Sequence, residues 1–483
     1  MLKSNSIKSR AIKGVGWKLM EKIGGQLVQF IIQIILARLL LPKDYGVIGL
    51  VTIFITVSDV FLQQGLPTAL IQDKNADEFD FSSVFYANIG VAIIIYFVLF
   101  FISPWVAKFY SEDSLILIMR VLSLNIIVGS ISAVHSAILA KKLEFKQSFY
   151  RNMSNVLTQG CVGIYLAYEG FGVWALVFSK VIGTLVGTIV LAISVHWKPL
   201  RYFSWKRIKK LFSFGSKMLG TNLLNTLFNN IHSLIIGRYF NAASLGYYQR
   251  GQQIPQAIMT AIDGSMNEVL YPTLSNMQKD MCILKNALRR SMKISMFIVI
   301  PMLAGLIVIS DSLVSILLTN KWSACVPFMK LACIICMFWP LSARTHAINA
   351  IGRSDVTFKI SFFSKTLTII LIFLCIDGGI YAIMLGTILA SIITFGITTY
   401  YTQKLIHYSA KELWLDIRET LFLSFVMCVL ISGIRYFHLN VFLELVFQII
   451  GGGLIYIIGA KVLKSENYEY IIQILKSMNL NAI

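Results

Sequence analysis

Charge is scarce in this sequence. Asp, Glu, Lys and Arg make up 14% of its 483 residues, against about 25% in an ordinary soluble domain. With 57% hydrophobic residues and a mean hydropathy of +0.73, the chain cannot clothe a water-facing surface. Acidic residues are the scarcer sign, 23 against 43 Lys and Arg, for a formal charge of +20. That excess does not point to nucleic acid, because the basic residues sit in short segments between apolar runs, where the positive-inside rule accounts for them. Alternating ten-residue segments are missing, which excludes a β-barrel. Seven cysteines lie mostly inside apolar runs. Cys333 and Cys336 form a C-x-x-C with no second pair, and His135, His232 and His346 stand alone, so no metal site is expected. Gly451 to Gly453 lack the Lys-Ser or Lys-Thr pair of a phosphate loop. The polar, basic start of the chain is followed by no short apolar run with a small-residue cleavage site, so no cleaved signal peptide is expected. No connection is long enough to hold a soluble domain, and no catalytic set or cofactor is expected.

What the chain has is apolar runs of about twenty residues, each long enough to cross a hydrocarbon core of about 30 Å as a helix. Their breakers give about fourteen transmembrane helices, near residues 14–40, 46–71, 81–103, 115–139, 149–168, 172–196, 211–239, 243–273, 294–318, 325–350, 357–376, 379–402, 419–437 and 440–460. The fold class is an all-α polytopic membrane protein. Lys and Arg concentrate in the segments on the side of the N-terminus. The opposite side holds only Arg38, Lys43, Lys108, Arg238, Lys321 and Arg435. Both termini are therefore expected in the cytoplasm, a topology that needs an even number of spans. The tail after residue 460 is expected to form a short amphipathic helix.

A repeat is legible at an offset of 200 residues. IILARLLLPKDYG (Ile34 to Gly46) matches LIIGRYFNAASLG (Leu234 to Gly246), with Arg38 on Arg238 and Gly46 on Gly246. Gly172, Trp174 and Ala175 correspond to Gly379, Tyr381 and Ala382, and SAILAKKLEFK to HAINAIGRSDVTFK. The first twelve spans thus read as two parallel-related six-helix bundles, residues 1–196 and 211–403. They are joined by a basic cytoplasmic linker at 197–210 and followed by two further helices and a tail at 404–483. In transporters built on parallel repeats the substrate site lies between the halves.

Polar residues at membrane depth usually face the bundle interior or a wet cavity, so their helical phase is informative. Span one carries Lys22, Gln26, Gln29 and Gln33 on one face, with Lys18 above them. Span two carries Thr52, Thr56, Asp59 and Gln63. Span seven carries Lys217, Thr221, Asn225, Asn229 and His232. Span eight carries Gln249, Gln253, Gln256, Thr260, Asp263 and Asn267, flanked by Arg250 and Glu268. Spans three, thirteen and fourteen have little polarity and read as lipid-facing. The stripes suggest a hydrated cleft; the plainer reading is helix-to-helix hydrogen bonding, worth about 0.6 kcal/mol each. Lys18, Lys22, Lys217 and Arg250 are candidates to hold an anionic head group, although Lys18 and Lys217 could equally snorkel to the interface. Asp59, Asp263 and Glu268 are candidates to carry a coupling H+ or Na+, or else to pair with nearby bases. Arg38 and Arg238 read as caps on helix C-termini.

The run LARLLLPKDYGVIGLVTIFITVSDVFLQQGLPTALIQDKNADEFDFSSVFYANI, Leu36 to Ile89, resembles the polysaccharide transporter family of the multidrug/oligosaccharidyl-lipid/polysaccharide exporter superfamily, nearest its Wzx-type lipopolysaccharide and exopolysaccharide flippases. The likeness covers nearly the whole chain, through an L-x-P-x-x-Y/F-G turn after span one and a G-hydrophobic-W-A segment opening span six. It implies a V-shaped, multi-pass protein of the bacterial inner membrane working by alternating access. The implied substrate is an undecaprenyl-diphosphate-linked oligosaccharide, turned from the cytoplasmic to the periplasmic leaflet for O-antigen, capsule or exopolysaccharide synthesis. Implied partners are that polyprenyl-diphosphate-linked oligosaccharide, membrane lipids, and a polysaccharide polymerase with its chain-length machinery. The alternatives are a drug or peptidoglycan-precursor exporter of the same superfamily, a membrane-embedded polymerase or ligase, and a structural membrane scaffold. The resemblance carries over no residue set to the cleft, so the positions named above rest on helical phase.

Overall fold

The computed structural model describes residues 24–480 apart from 74, 143, 278, 279 and 438; the side chains of 145, 214, 217, 263–273, 275, 276 and 474–480 lie outside the described set. Every regular element among the described residues is a helix. In chain order these are α1 (Gly24–Leu39), α2 (Pro42–Gln63), α3 (Leu66–Gln72), α4 (Glu78–Tyr110), α5 (Leu115–Leu122), α6 (Leu124–Lys142), α7 (Phe145–Tyr168), α8 (Val173–Val195) and α9 (Trp205–Tyr239). They continue with α10 (Ala242–Asn276), α11 (Met281–Leu318), α12 (Val326–Cys336), α13 (Ala343–Ala350), α14 (Ser354–Leu374), α15 (Gly379–Ile406), α16 (Ala410–Gly433), α17 (Val441–Val462) and α18 (Glu466–Leu480).

Among the described residues, ten helical stretches are long and apolar enough to cross a membrane. Two of them join elements across a break, α2 with α3 and α5 with α6, and a third runs from Asn320 through α12 to α13. Of the four remaining expected spans, α1 is apolar but short over its described residues, and α7, α9 and α10 carry polar residues that lower their hydropathy. The chain divides into two compact units, residues 1–246 and 247–483. In the first unit α9 packs against α2, α3 and α4, and α7 packs along α8. In the second, α11 packs against α12, α16 and α17, and α14 against α15. Helix α4 is largely unburied along its apolar length, as are α16 and α17, in keeping with lipid-facing spans.

The repeat reappears as matched backbone irregularities. Gly172 before α8 and Gly379 opening α15 both adopt positive φ, 55° and 82°, a conformation only glycine enters without strain. The fourth span of each half is broken, between α5 and α6 at Ser123 and between α12 and α13 by a short 3-10 turn, Trp339–Ser342. The third span of each half contains a proline, Pro104 in α4 and Pro301 in α11. An interior proline leaves the carbonyl four residues earlier without its helical partner, and in lipid that carbonyl must find another donor. Phe100 O accepts from Ser103 Oγ at 2.7 Å and Arg120 Nε at 3.4 Å. Phe297 O accepts from the Tyr456 hydroxyl at 2.9 Å. The two halves meet the same backbone requirement with different side chains.

Gly46 and Gly246, matched by the offset, make a reciprocal close approach. A Cβ on Gly46 would collide with the Ala242 carbonyl, and one on Gly246 with the Pro42 carbonyl. Pro42 and Ala242 are themselves offset by 200, so the contact is self-complementary in the manner of a two-fold interface.

The basic linker is docked on the first unit. Leu200 N donates to Ser82 Oγ at 2.9 Å and Ser204 N to Ser83 Oγ at 3.2 Å. Arg207 meets Asp77 at 2.7 Å and Asp80 at 2.9 Å, and Lys210 meets Asp73 at 2.9 Å. The hydrogen bond from Lys210 holds the Asp73 carboxyl below the ordinary carboxylate range, helped by the Asn75 backbone N–H. Asp77 and Asp80 also form a reciprocal N-terminal box on α4, with hydrogen bonds of 2.9 and 3.1 Å. In the second unit α11 is tied to α16 and α18. Arg289 grips both Asp416 oxygens at 2.8 Å, and Lys293 bonds Glu466 at 2.9 Å. The expected tail helix is α18.

Candidate functional site

On α1, the apolar edge of Gly24, Ile32 and Leu36 packs toward α7, where Gly160 and Gly163 leave room for it. The glutamines occupy another face, with Gln26 and Gln29 exposed and Gln33 half-buried. Lys18 and Lys22 lie outside the described residues. On α9, Asn225 and Asn229 are exposed and His232 half-buried. Lys217 falls within α9, and Asp263 and Glu268 within α10, but their side chains are outside the described set.

Helices α2 and α9 meet through small residues. The break between α2 and α3 at Gly65 lies against Gly215, where a Cβ would stand 3.1 Å from the Gly65 backbone. Asn222 of α9 donates to Gln64 at 3.4 Å, and Asn88 of α4 donates to Leu62 O at 3.2 Å. The polar residues flanking this break therefore do two jobs. Asn88 satisfies a carbonyl near the interrupted helix, while Gln63 is exposed on the same stretch.

The α2 stripe contains a pairing that the stripes alone did not reveal. Lys180 of α8 donates to Thr52 Oγ1 at 3.3 Å and acts electrostatically on Asp59, one further turn and three residues along α2. Both charged side chains are half-buried, and they form no contact ion pair. A carboxylate and an ammonium set near each other at membrane depth without closing leave room for a proton, a cation or an anionic group to alter the balance. Lys180 was findable, being the lone charged residue of the apolar run Val173–Val195.

Arg250 is placed differently from an open cavity residue. It is only 7% exposed, donates to Gln253 Oε1, and lies with its guanidinium carbon 5.7 Å from the Trp322 ring centroid. Gln253 is half-buried beside it. The structure thus brings Arg250 and Gln253 together within the second unit, and Asp59 together with Thr52 and Lys180 within the first. The low hydropathy of α7 also has an explanation that the sequence left open. Asn155 and Gln159, 2.6 Å apart, pack onto Gly183 and Gly187 of α8, while Arg151 bonds Ser136 of α6 at 3.0 Å. No cluster of metal-holding side chains occurs among the described residues.

The profile of a family described as polysaccharide biosynthesis protein matches residues 35–327. The teichuronic acid biosynthesis protein TuaB of Bacillus subtilis is 24% identical over 470 residues, covering 94% of this chain and 95% of that protein. The lipopolysaccharide biosynthesis protein WzxC of Escherichia coli is 23% identical over 449 residues, covering 89% of each. Among solved structures, the lipid II flippase MurJ in its inward closed conformation superposes with a TM-score of 0.75 at 16% identity, over 95% of this chain and all of that one. An inward-facing multidrug resistance MATE family transporter of the MOP superfamily gives 0.61 at 17% identity, over 83% and 100%. The chain has the fold of these transporters.

Proposed function

Because this chain belongs to the family of polysaccharide biosynthesis proteins, we propose that it carries an undecaprenyl-diphosphate-linked oligosaccharide from the cytoplasmic to the periplasmic leaflet by alternating access. It is a multi-pass membrane transporter of the flippase kind and not an enzyme. The observation that carries the finer reading is the family match, supported by polar side chains on α1, α2 and α9 within an otherwise apolar unit.

In this mechanism the polyprenyl tail stays in lipid while diphosphate and sugars leave water. Dehydrating a diphosphate is costly, and the cost is offset by bases at low dielectric, Lys22 and Lys180 foremost, and by the amides of Gln26, Gln29, Gln33, Asn225 and Asn229. Amides suit the sugar portion because each offers both donors and an acceptor to hydroxyls. Asp59 sits where the Lys180 charge reaches it. Taking up H+ or Na+ at this carboxylate strengthens the local positive field for the anionic substrate, and releasing it weakens that field. Ion uptake is thereby linked to substrate uptake and release. Asp263 and Glu268 are further coupling candidates. Arg250, stacked on Trp322, supports α10 in addition to any head-group role.

Deletion of the gene in the native host tests this reading. Surface polymer is expected to be lost while lipid-linked repeat units build up on the cytoplasmic leaflet, measured by extraction and leaflet-specific labelling. Normal polymer from a clean deletion with no second flippase gene present would sink the proposal.

A further inference from the structure

A second polar site lies in residues 247–483, on helices that carry none of the four stripes. A cavity of about 440 Å³ opens among α13, α14, α15 and the Trp339–Ser342 turn, within the roughly 300–1,000 Å³ typical of ligand pockets. Its polar lining is hydroxyl and cationic: Arg344 from α13, Ser364 and Lys365 from α14, and Thr394 and Thr398 from α15. Among the described residues, no carboxylate lines it.

Arg344 is the centre of the argument. Its side chain is 2% exposed in a stretch apolar enough to span the membrane. Its Nε donates to Leu341 O at 3.1 Å and one terminal nitrogen to Thr399 Oγ1 at 2.6 Å, while the Phe395 ring centroid lies 4.8 Å from the guanidinium carbon. These partners are all uncharged, and the two hydrogen bonds use two of the five guanidinium donors. The neighbouring acid is committed elsewhere. Tyr408, which faces Arg344 electrostatically, donates a hydrogen bond from its hydroxyl to Asp416, whose two oxygens are gripped by Arg289. A buried guanidinium with no counter-ion among its described partners is costly, and such a charge in a membrane helix marks a ligand or ion site.

From this arrangement we propose that the cavity binds the phosphate of a membrane lipid head group, with Arg344 as its bidentate anchor and Lys365 as a second charge. A planar fork matches phosphate oxygens, and the aliphatic stem of Lys365 lets its ammonium reach along the groove. The location suits a lipid better than a free ion. The end of α14 and α15 nearest the cavity bears Arg353, Lys359 and Lys404. By the 1.5 Å rise per residue, Thr398 and Lys365 lie about 12–17 Å from those helix ends, within reach of a head group. Ser361 and Trp339 on the lining are exposed, beside the exposed Phe358 and Phe362 that give α14 a lipid-facing apolar surface. Basic pockets between membrane helices near a cytoplasmic surface bind acidic head groups in this way. The proposal does not depend on the transport reading.

The test uses the purified full-length protein in detergent, titrated with phosphatidylglycerol and followed by native mass spectrometry. Diacylglycerol serves as the phosphate-free control and inorganic phosphate as the free-ion arm. The wild type is expected to retain one phosphatidylglycerol, with binding weakened about tenfold, a 1.4 kcal/mol change, in Lys365→Gln, and more in Arg344→Gln than in Arg344→Lys. Lys365 is half-buried and makes a mild substitution, so it decides the matter wherever Arg344→Gln fails to fold. Wild-type affinity in Lys365→Gln, or equal retention of diacylglycerol, overturns the phosphate site. Binding of inorganic phosphate as tight as that of the lipid overturns the lipid assignment.

Discussion

Asp59 and Lys180 face the same stretch of the first unit from α2 and α8, with Thr52 holding the ammonium at 3.3 Å. Two roles make opposite forecasts. If the charges exist only to neutralise each other, removing one strands the other in lipid, whereas removing both is nearly neutral. If Asp59 carries the coupling ion, the double variant stays inactive however well it folds. We expect Asp59→Asn and Lys180→Met each to cut polysaccharide complementation about tenfold or more per unit of membrane protein, with the double variant no better than either. Asp59→Asn should also flatten the dependence of transport on pH or sodium. Full recovery in the double variant would assign the pair to structure alone.

Helices in this chain meet where one has no side chain or offers a polar one to a broken neighbour. Gly183 and Gly187 admit Asn155 and Gln159, and Pro104 and Pro301 are matched by Arg120 and Tyr456. The strictest case is the reciprocal contact of Gly46 with Ala242 and of Gly246 with Pro42, because backbone faces backbone and no rotamer can yield. Overpacking a close contact costs about 1–3 kcal/mol or more. Gly46→Val and Gly246→Val are therefore expected to reduce the monodisperse, detergent-extracted protein severalfold on size-exclusion chromatography. Gly90→Ala and Gly396→Ala, with no atom near the added methyl, should elute as wild type. Equal yields in all four would mean that the repeat-related turns do not organise the fold.

For the whole molecule, orientation follows from where bases can rest. Lys206, on the exposed side of the docked linker, and Arg289, bound to Asp416, belong to segments expected in the cytoplasm, and Glu169 to a loop expected outside. A membrane-impermeant thiol reagent applied to intact cells should label Glu169→Cys and spare Lys206→Cys, with the native cysteines replaced. Labelling of Lys206→Cys from outside would invert the topology and, with it, the proposed direction of transport.

Hydropathy and charge asymmetry were enough to specify an all-helical membrane protein, because lipid leaves few ways to satisfy a backbone. The repeat was equally legible, since Arg38 and Gly46 recur as Arg238 and Gly246, and so was the family, from Leu36 to Ile89. Helical phase singled out Asp59 as a candidate, because a carboxylate at that depth is conspicuous on its own helix. It could not find Asp59's neighbour, since Lys180 comes from a helix more than a hundred residues away and only packing brings the two together. Nor could phase foresee that Arg250 would lie buried against Trp322, because a stripe records the face a side chain shares and not what covers that face. Arg344 is the clearest case of a decision left to tertiary structure. It falls inside the expected span 325–350, and only the packing of α13, α14 and α15 buries it against partners that, among the described residues, are all uncharged. Sequence sets the cost of each polar group in lipid, and the fold settles which group meets it.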